Sequence, residues 1–114
     1  MFTVEYFNQV VVITSLKVRR VNFLLIERLR KLIIQAMKQP CRKIVLNLVG
    51  VQIIQPGAVE TLKMLCGMAS SLGIELVMVN INAELHEQIK RVDYKNQLKI
   101  CRLQEVEEII SLAE

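Results

Sequence analysis

KIVLNLVGVQIIQPGAVETLKMLCGMASSLGIELVMVN, residues 43–80, decides the architecture. It opens on Lys43 to Leu48, a short and nearly continuous apolar run that suits a central strand buried on both faces. Val49 to Gln55 reads as a loop. Pro56 fits the first turn of a helix, where a missing N–H costs nothing. That helix is predicted to reach Leu72 and to stop at Gly73. Its core stripe is Ala58, Leu62, Leu65, Ala69 and Leu72. Ile74 to Val79 is another buried strand.

Moving outward toward the N-terminus, Phe2 to Phe7 and Val10 to Leu16 are β-branched and aromatic-rich, with Asn8-Gln9 between them. They read as a hairpin. Asn22 can cap a helix that runs to about Met37, with Leu25, Leu29, Leu32, Ile33 and Ala36 at helical spacing. Pro40 stops it. In the other direction, Asn82 caps a third helix, Ala83 to about Val92. Leu98 to Cys101 is a last short strand. Leu103 to Leu112 is a terminal helix with Val106, Ile109 and Ile110 inward. The order β-β-α-β-α-β-α-β-α predicts an α/β fold, a mixed four- to five-stranded sheet with about four helices.

The chain has 114 residues, enough for one domain over 1–114 and too few for two. Apolar residues at 53% fill one core easily, and charged residues at 23% are ordinary for a globular protein. No apolar run approaches the roughly 18 to 20 residues that span a bilayer. The stretch Met1 to Phe7 does not have the form of a secretory signal, so a cytoplasmic location is expected. Cys41, Cys66 and Cys101 show neither metal-ligand nor CxxC spacing and read as reduced, structural thiols.

Catalysis is not expected. His86 is the only histidine, on a polar helix face beside Glu84 and Glu87, and reads as an exposed structural residue. It has no second imidazole for a zinc site, so no metal is expected. Gly50, Gly57, Gly67 and Gly73 match no nucleotide fingerprint, and no cofactor is expected.

The net charge of +4 is unevenly placed. Residues 1–43 hold nine Lys/Arg against Glu5 and Glu27, whereas residues 44–114 carry an excess of acid. An acidic partner, nucleic acid or an anionic membrane surface would suit such a half. A solvated helix face or a protein contact is the preferred reading. Nucleic-acid readers usually add stacking aromatics, and aromatics are 4% here, three of the five lying before residue 8.

On these elements the stretch from Lys43 to Val92 resembles the centre of a STAS domain, the anti-sigma-factor-antagonist family. The family has a buried strand ending in Asp-Leu or Asn-Leu, matched here by Asn47-Leu48. A short loop, a helix-opening Asp-Ser-Ser-Gly or Asp-Thr-Ser-Gly, a helix of small and apolar residues, a Gly and a strand ending near Leu-Val-Asn follow. The resemblance extends over roughly Val10 to Leu112. It implies a bacterial signal-transduction module for regulating transcription. In phosphorylated members a partner kinase, the anti-sigma factor, binds the loop-to-helix junction and modifies a hydroxyl there. Phosphate at that helix N-terminus adds about −1.5 to −2 charge and blocks docking.

This chain departs from the pattern at the junction. The family Asp falls on Gln55, the phosphoacceptor on Pro56, and the next two positions on Gly57 and Ala58. Pro56 has no hydroxyl, so the resemblance implies a module without phosphorylation at the usual place. The family's Gly-x-Leu-Asp before the first helix falls on Arg19, Arg20, Val21 and Asn22, where Asn22 keeps the capping chemistry. The nearest hydroxyl, Thr61, is about one turn into the helix and off the family's kinase geometry.

Thr61, Met64 and Met68 recur on one flank of that helix, roughly 60 to 120° from the core stripe. They either complete packing against a neighbouring helix or form an adaptable interface. The expected partner-binding set is therefore Asn22, Gln55, Pro56, Gly57, Ala58, Thr61, Met64 and Met68. The partner implied is an anti-sigma factor of the Ser/Thr-kinase-like kind. The alternative is the ATPase subunit of an ABC-type lipid transporter, with this chain as accessory subunit. The exposed edge strand near the N-terminus also offers a surface for a homodimer.

Overall fold

A computed structural model describes residues 1–101. Strands β1 (Phe2–Phe7) and β2 (Val10–Ser15) form the expected hairpin, with Asn8 at φ 57° in its turn. Asn tolerates that left-handed conformation, which two-residue hairpin turns require. Two residues, Arg20–Val21, make β3, and helix α1 (Phe23–Met37) follows. Then come β4 (Lys43–Asn47), β5 (Ile53–Ile54) and helix α2 (Pro56–Ser71). Strand β6 (Glu75–Val79), helix α3 (Ala83–Val92) and β7 (Lys99–Ile100) complete the described chain. The terminal helix expected over Leu103 to Leu112 lies outside the described residues.

The main sheet is five-stranded, in the order β1-β2-β4-β6-β7. β1 runs antiparallel to β2, and every other neighbouring pair is parallel, in registers such as Val11↔Ile44 and Ile44↔Leu76. The mixed sheet is the α/β arrangement that the segment order predicts, with three of the roughly four expected helices among the described residues. Alternation along the strands divides the core. Val11, Ile13, Ile44, Leu46, Leu76 and Met78 face the buried sides of α1, α2 and α3, while Val10, Val45, Val77 and Val79 form a smaller cluster on the other face.

Local chemistry explains the boundaries. The Asn22 side chain accepts from Leu25 N at 3.0 Å and the Asn82 side chain from Leu85 N at 2.8 Å. Each satisfies an amide that the helix itself cannot. Gly73, at φ 74°, takes the left-handed step after α2. Buried Asp93 accepts from Gln97 N at 2.9 Å and Leu98 N at 2.8 Å, which steers the chain from α3 into β7.

Four details differ from the sequence reading. The stretch Val49 to Gln55 is not wholly loop, because β5 inside it pairs in parallel with β3 as a separate two-stranded sheet. The inward face of α1 is led by Ile26, Leu29, Ile33 and Ala36, with Leu25 and Leu32 only half-buried. Leu72 is 62% exposed, because it caps α2 just as the chain turns away from the core, and Val59 is buried instead. His86 is half-buried rather than exposed.

Candidate functional site

The opening of α2 is set by the small β3–β5 pairing. Gln52 N and Ile53 N donate to Arg19 O at 2.8 and 3.1 Å, and Gln55 N donates to Val21 O at 3.2 Å. The two segments therefore run side by side and end together. Asn22, which starts α1, and Gln55, which starts α2, are brought to the same edge although they are far apart in sequence. Arg19 Nη2 reinforces the pair by donating to Gln52 Oε1 at 3.2 Å.

Helix α3 holds the pair from the other side. In a parallel pair alternate amides face away from the partner strand. Ile54 N is such an amide, and it donates to Gln88 Oε1 at 3.3 Å. Gln88 Nε2 in turn donates to Gln52 O at 3.0 Å. Between these elements lies a cleft of about 370 Å³ lined by Arg20, Ile53, Gln55, Pro56, Gln88 and Arg91, among others. Sequence reasoning missed Gln88 and Arg91. Only their arrival on the far side of the β5 loop brings them there, and no local pattern announces it.

The helix start itself is open. Gln55 takes an extended conformation with no side-chain cap bond, and Pro56 occupies the first turn. Gln55, Pro56 and Gly57 are exposed, whereas Ala58 is buried in the core. A Cβ added to Gly57 would meet nothing within 4 Å. Thr61 turns its hydroxyl back to Gly57 O at 3.2 Å, the usual bond of a hydroxyl within a helix.

Beyond that start runs an uncharged stripe. Met64 is 52% and Met68 41% exposed, so they do not complete the packing against a neighbouring helix. With Gly57, Thr61 and Leu72 they follow one another at three- and four-residue steps along the outer side of α2. The only charged residues of this helix are Glu60 and Lys63, and they pair with each other at 3.4 Å.

Cys41, Cys66 and Cys101 are free thiols. Burial, and secondarily the Asp93 charge, pushes the Cys66 thiol up to about 11, which keeps it protonated and unreactive at neutral pH. Among the described residues no group of three or more His, Cys, Asp or Glu is placed to hold a metal ion. No helix among them is long and apolar enough to cross a membrane.

With the fold and the open second helix start described, the family can be stated. The model of the STAS domain matches residues 11–107, and the chain belongs to that family. A STAS domain protein from Planctomyces limnophilus superimposes with a TM-score of 0.78 at 15% identity, over 99% of this chain and 97% of that one. The anti-sigma factor antagonist SpoIIAA in its unphosphorylated form does so with a TM-score of 0.76 at 15% identity, over 98% and 96%. A murine anion transporter of the Solute Carrier 26 family gives 0.75 at 14% identity, over 95% of this chain but only 18% of the transporter. At such identities the likeness is one of fold. Comparison with curated protein sequences gives no match.

Proposed function

We propose that this chain is a non-enzymatic regulatory module that binds a protein partner through the opening of α2 and the stripe that continues from it. The observation that carries the reading is the run of exposed, uncharged side chains at Met64, Met68 and Leu72. Apolar side chains left in water along one helix mark a surface that another protein covers, and methionine adapts its shape to such a partner. Gln55, Pro56 and Gly57 extend this surface to the helix start. By family resemblance the partner is an anti-sigma factor in the cytoplasm. Pro56 stands where phosphorylated relatives carry a hydroxyl, so on this reading binding is not switched by phosphate at that position.

The test is affinity capture from lysate of the source organism, read by mass spectrometry, with Gly57→Arg and Met64→Glu as controls. Open space around Gly57 and the exposure of Met64 let both variants fold. A kinase-like anti-sigma factor that the parent retains and both variants lose is the expected result. Transporter ATPase subunits lost in the same way would instead support the accessory-subunit reading. Equal capture by parent and variants would refute this surface.

A further inference from the structure

A second exposed face, on α1, is built differently. Leu24, Arg28, Lys31, Gln35 and Lys38 follow at alternating four- and three-residue steps, and all are exposed. They form one outward stripe along the helix and its C-cap. Between residues 6 and 59 the only acidic residue is Glu27. Arg30 already holds it at 3.1 Å. Arg28, Lys31 and Lys38 take part in no ion pair among the described residues.

At the start of the stripe the surface turns apolar. Phe23 and Leu24 are each 71% exposed. Arg28 Nη1 lies 3.0 Å from Met1 Sδ, and Leu16 N bonds to Met1 O. Met1 and Leu16 are thus on the Arg28 side of the helix, one turn from Leu24, and both are exposed. Lys17 adjoins them and is exposed as well.

From this juxtaposition we infer that α1 lies against an anionic lipid surface, its cations on the phosphates and Phe23, Leu24 and Leu16 dipped between the headgroups. Reversible membrane attachment takes two signals, apolar insertion and a basic patch, and both are present on this one face. A nucleic acid would use the cations and could stack a base on Phe23, but it would leave Leu16 and Leu24 in water, since aliphatic side chains neither stack on bases nor bond phosphate. An acidic protein segment would use the cations too. Its affinity, however, would come from anchors seated in pockets, and here the apolar residues project from a helix start and a loop. A bilayer needs no pocket.

The experiment is flotation of the full chain with vesicles of equal parts phosphatidylglycerol and phosphatidylcholine, and with vesicles of phosphatidylcholine alone. Binding to the anionic vesicles only, falling as salt rises, is expected. Lys31→Gln and Lys38→Gln should each weaken it about five-fold. Phe23→Ser together with Leu24→Ser, both exposed and harmless to the core, should weaken it about ten-fold or more. No flotation with anionic vesicles overturns the inference. So does binding that the cation variants abolish and the Phe23/Leu24 variant leaves intact, for then the face answers to charge alone, as it would to any acidic polymer, and no insertion takes place.

Discussion

Replacing Gln88 by Ala tests how the α2 opening is held in place. The side chain makes two bonds to the β5 segment, accepting from Ile54 N at 3.3 Å and donating to Gln52 O at 3.0 Å. A net hydrogen bond is worth about 1 kcal/mol, and the half-buried Ile54 amide loses its partner altogether. The variant should therefore lose about 1 to 2 kcal/mol. For a domain of this size each kcal/mol lowers Tm by about 4 °C. Urea unfolding gives the global loss, and amide hydrogen exchange locates it. Exchange at Ile54 should accelerate beyond the global change, while Leu46, in the centre of the main sheet, should follow the global change alone. The Ile54 side chain stays buried, so the segment loosens without leaving the core. A stability loss below about 0.5 kcal/mol, with Ile54 exchange matching Leu46, would show that β3 alone holds the segment and that the α3 contact is incidental.

Two further outcomes follow from the titratable groups. The Cys66 thiol is raised from 9.0 to about 11 by burial and then by Asp93. Its contribution to stability is therefore complete below the unfolded value and lost as pH rises through the folded one; the urea midpoint should fall over that range less in Cys66→Ala than in the parent. Glu75 lies between Lys99 at 2.9 Å and Lys43 at 3.1 Å, and its carboxyl is lowered chiefly by the bond from Lys99, with burial opposing. Its contribution is present above the ordinary carboxylate range and lost as pH falls through the lowered value. Because the pair is largely solvent-screened, Glu75→Gln should cost only about 0.2 to 1 kcal/mol at neutral pH, and less in high salt.

Local chemistry was the legible part of the fold. Asn22 and Asn82 mark helix starts through bonds made three residues on, Pro56 through the donor it lacks and Gly73 through its left-handed backbone, and these positions follow from sequence alone. Helical spacing puts Leu25 at the front of α1, whereas the inward face is led by Ile26. Leu25 and Ile26 are both apolar, so spacing fits either until packing chooses. The helical period also points Leu72 to the core, but the chain leaves the helix there. The β3–β5 pair was invisible, since two residues on each side show no periodicity. At the candidate site the exposed flank of α2 could be drawn from spacing. The neighbours Gln88 and Arg91 could not, because a different helix supplies them.

The parallel pairings have a kinetic consequence. β1 and β2 meet across a two-residue turn, but β2 finds β4, and β4 finds β6, only after an entire helix has intervened. Closing those loops costs chain entropy before any ladder bond repays it. The hairpin should thus form in microseconds, and the sheet should wait for the helices. During synthesis, Val10, Val11 and Ile13 would stand as an unfinished edge until the segment from Lys43 to Asn47 is available. This open edge is the point at which a chaperone, or a second nascent copy, would meet the folding chain.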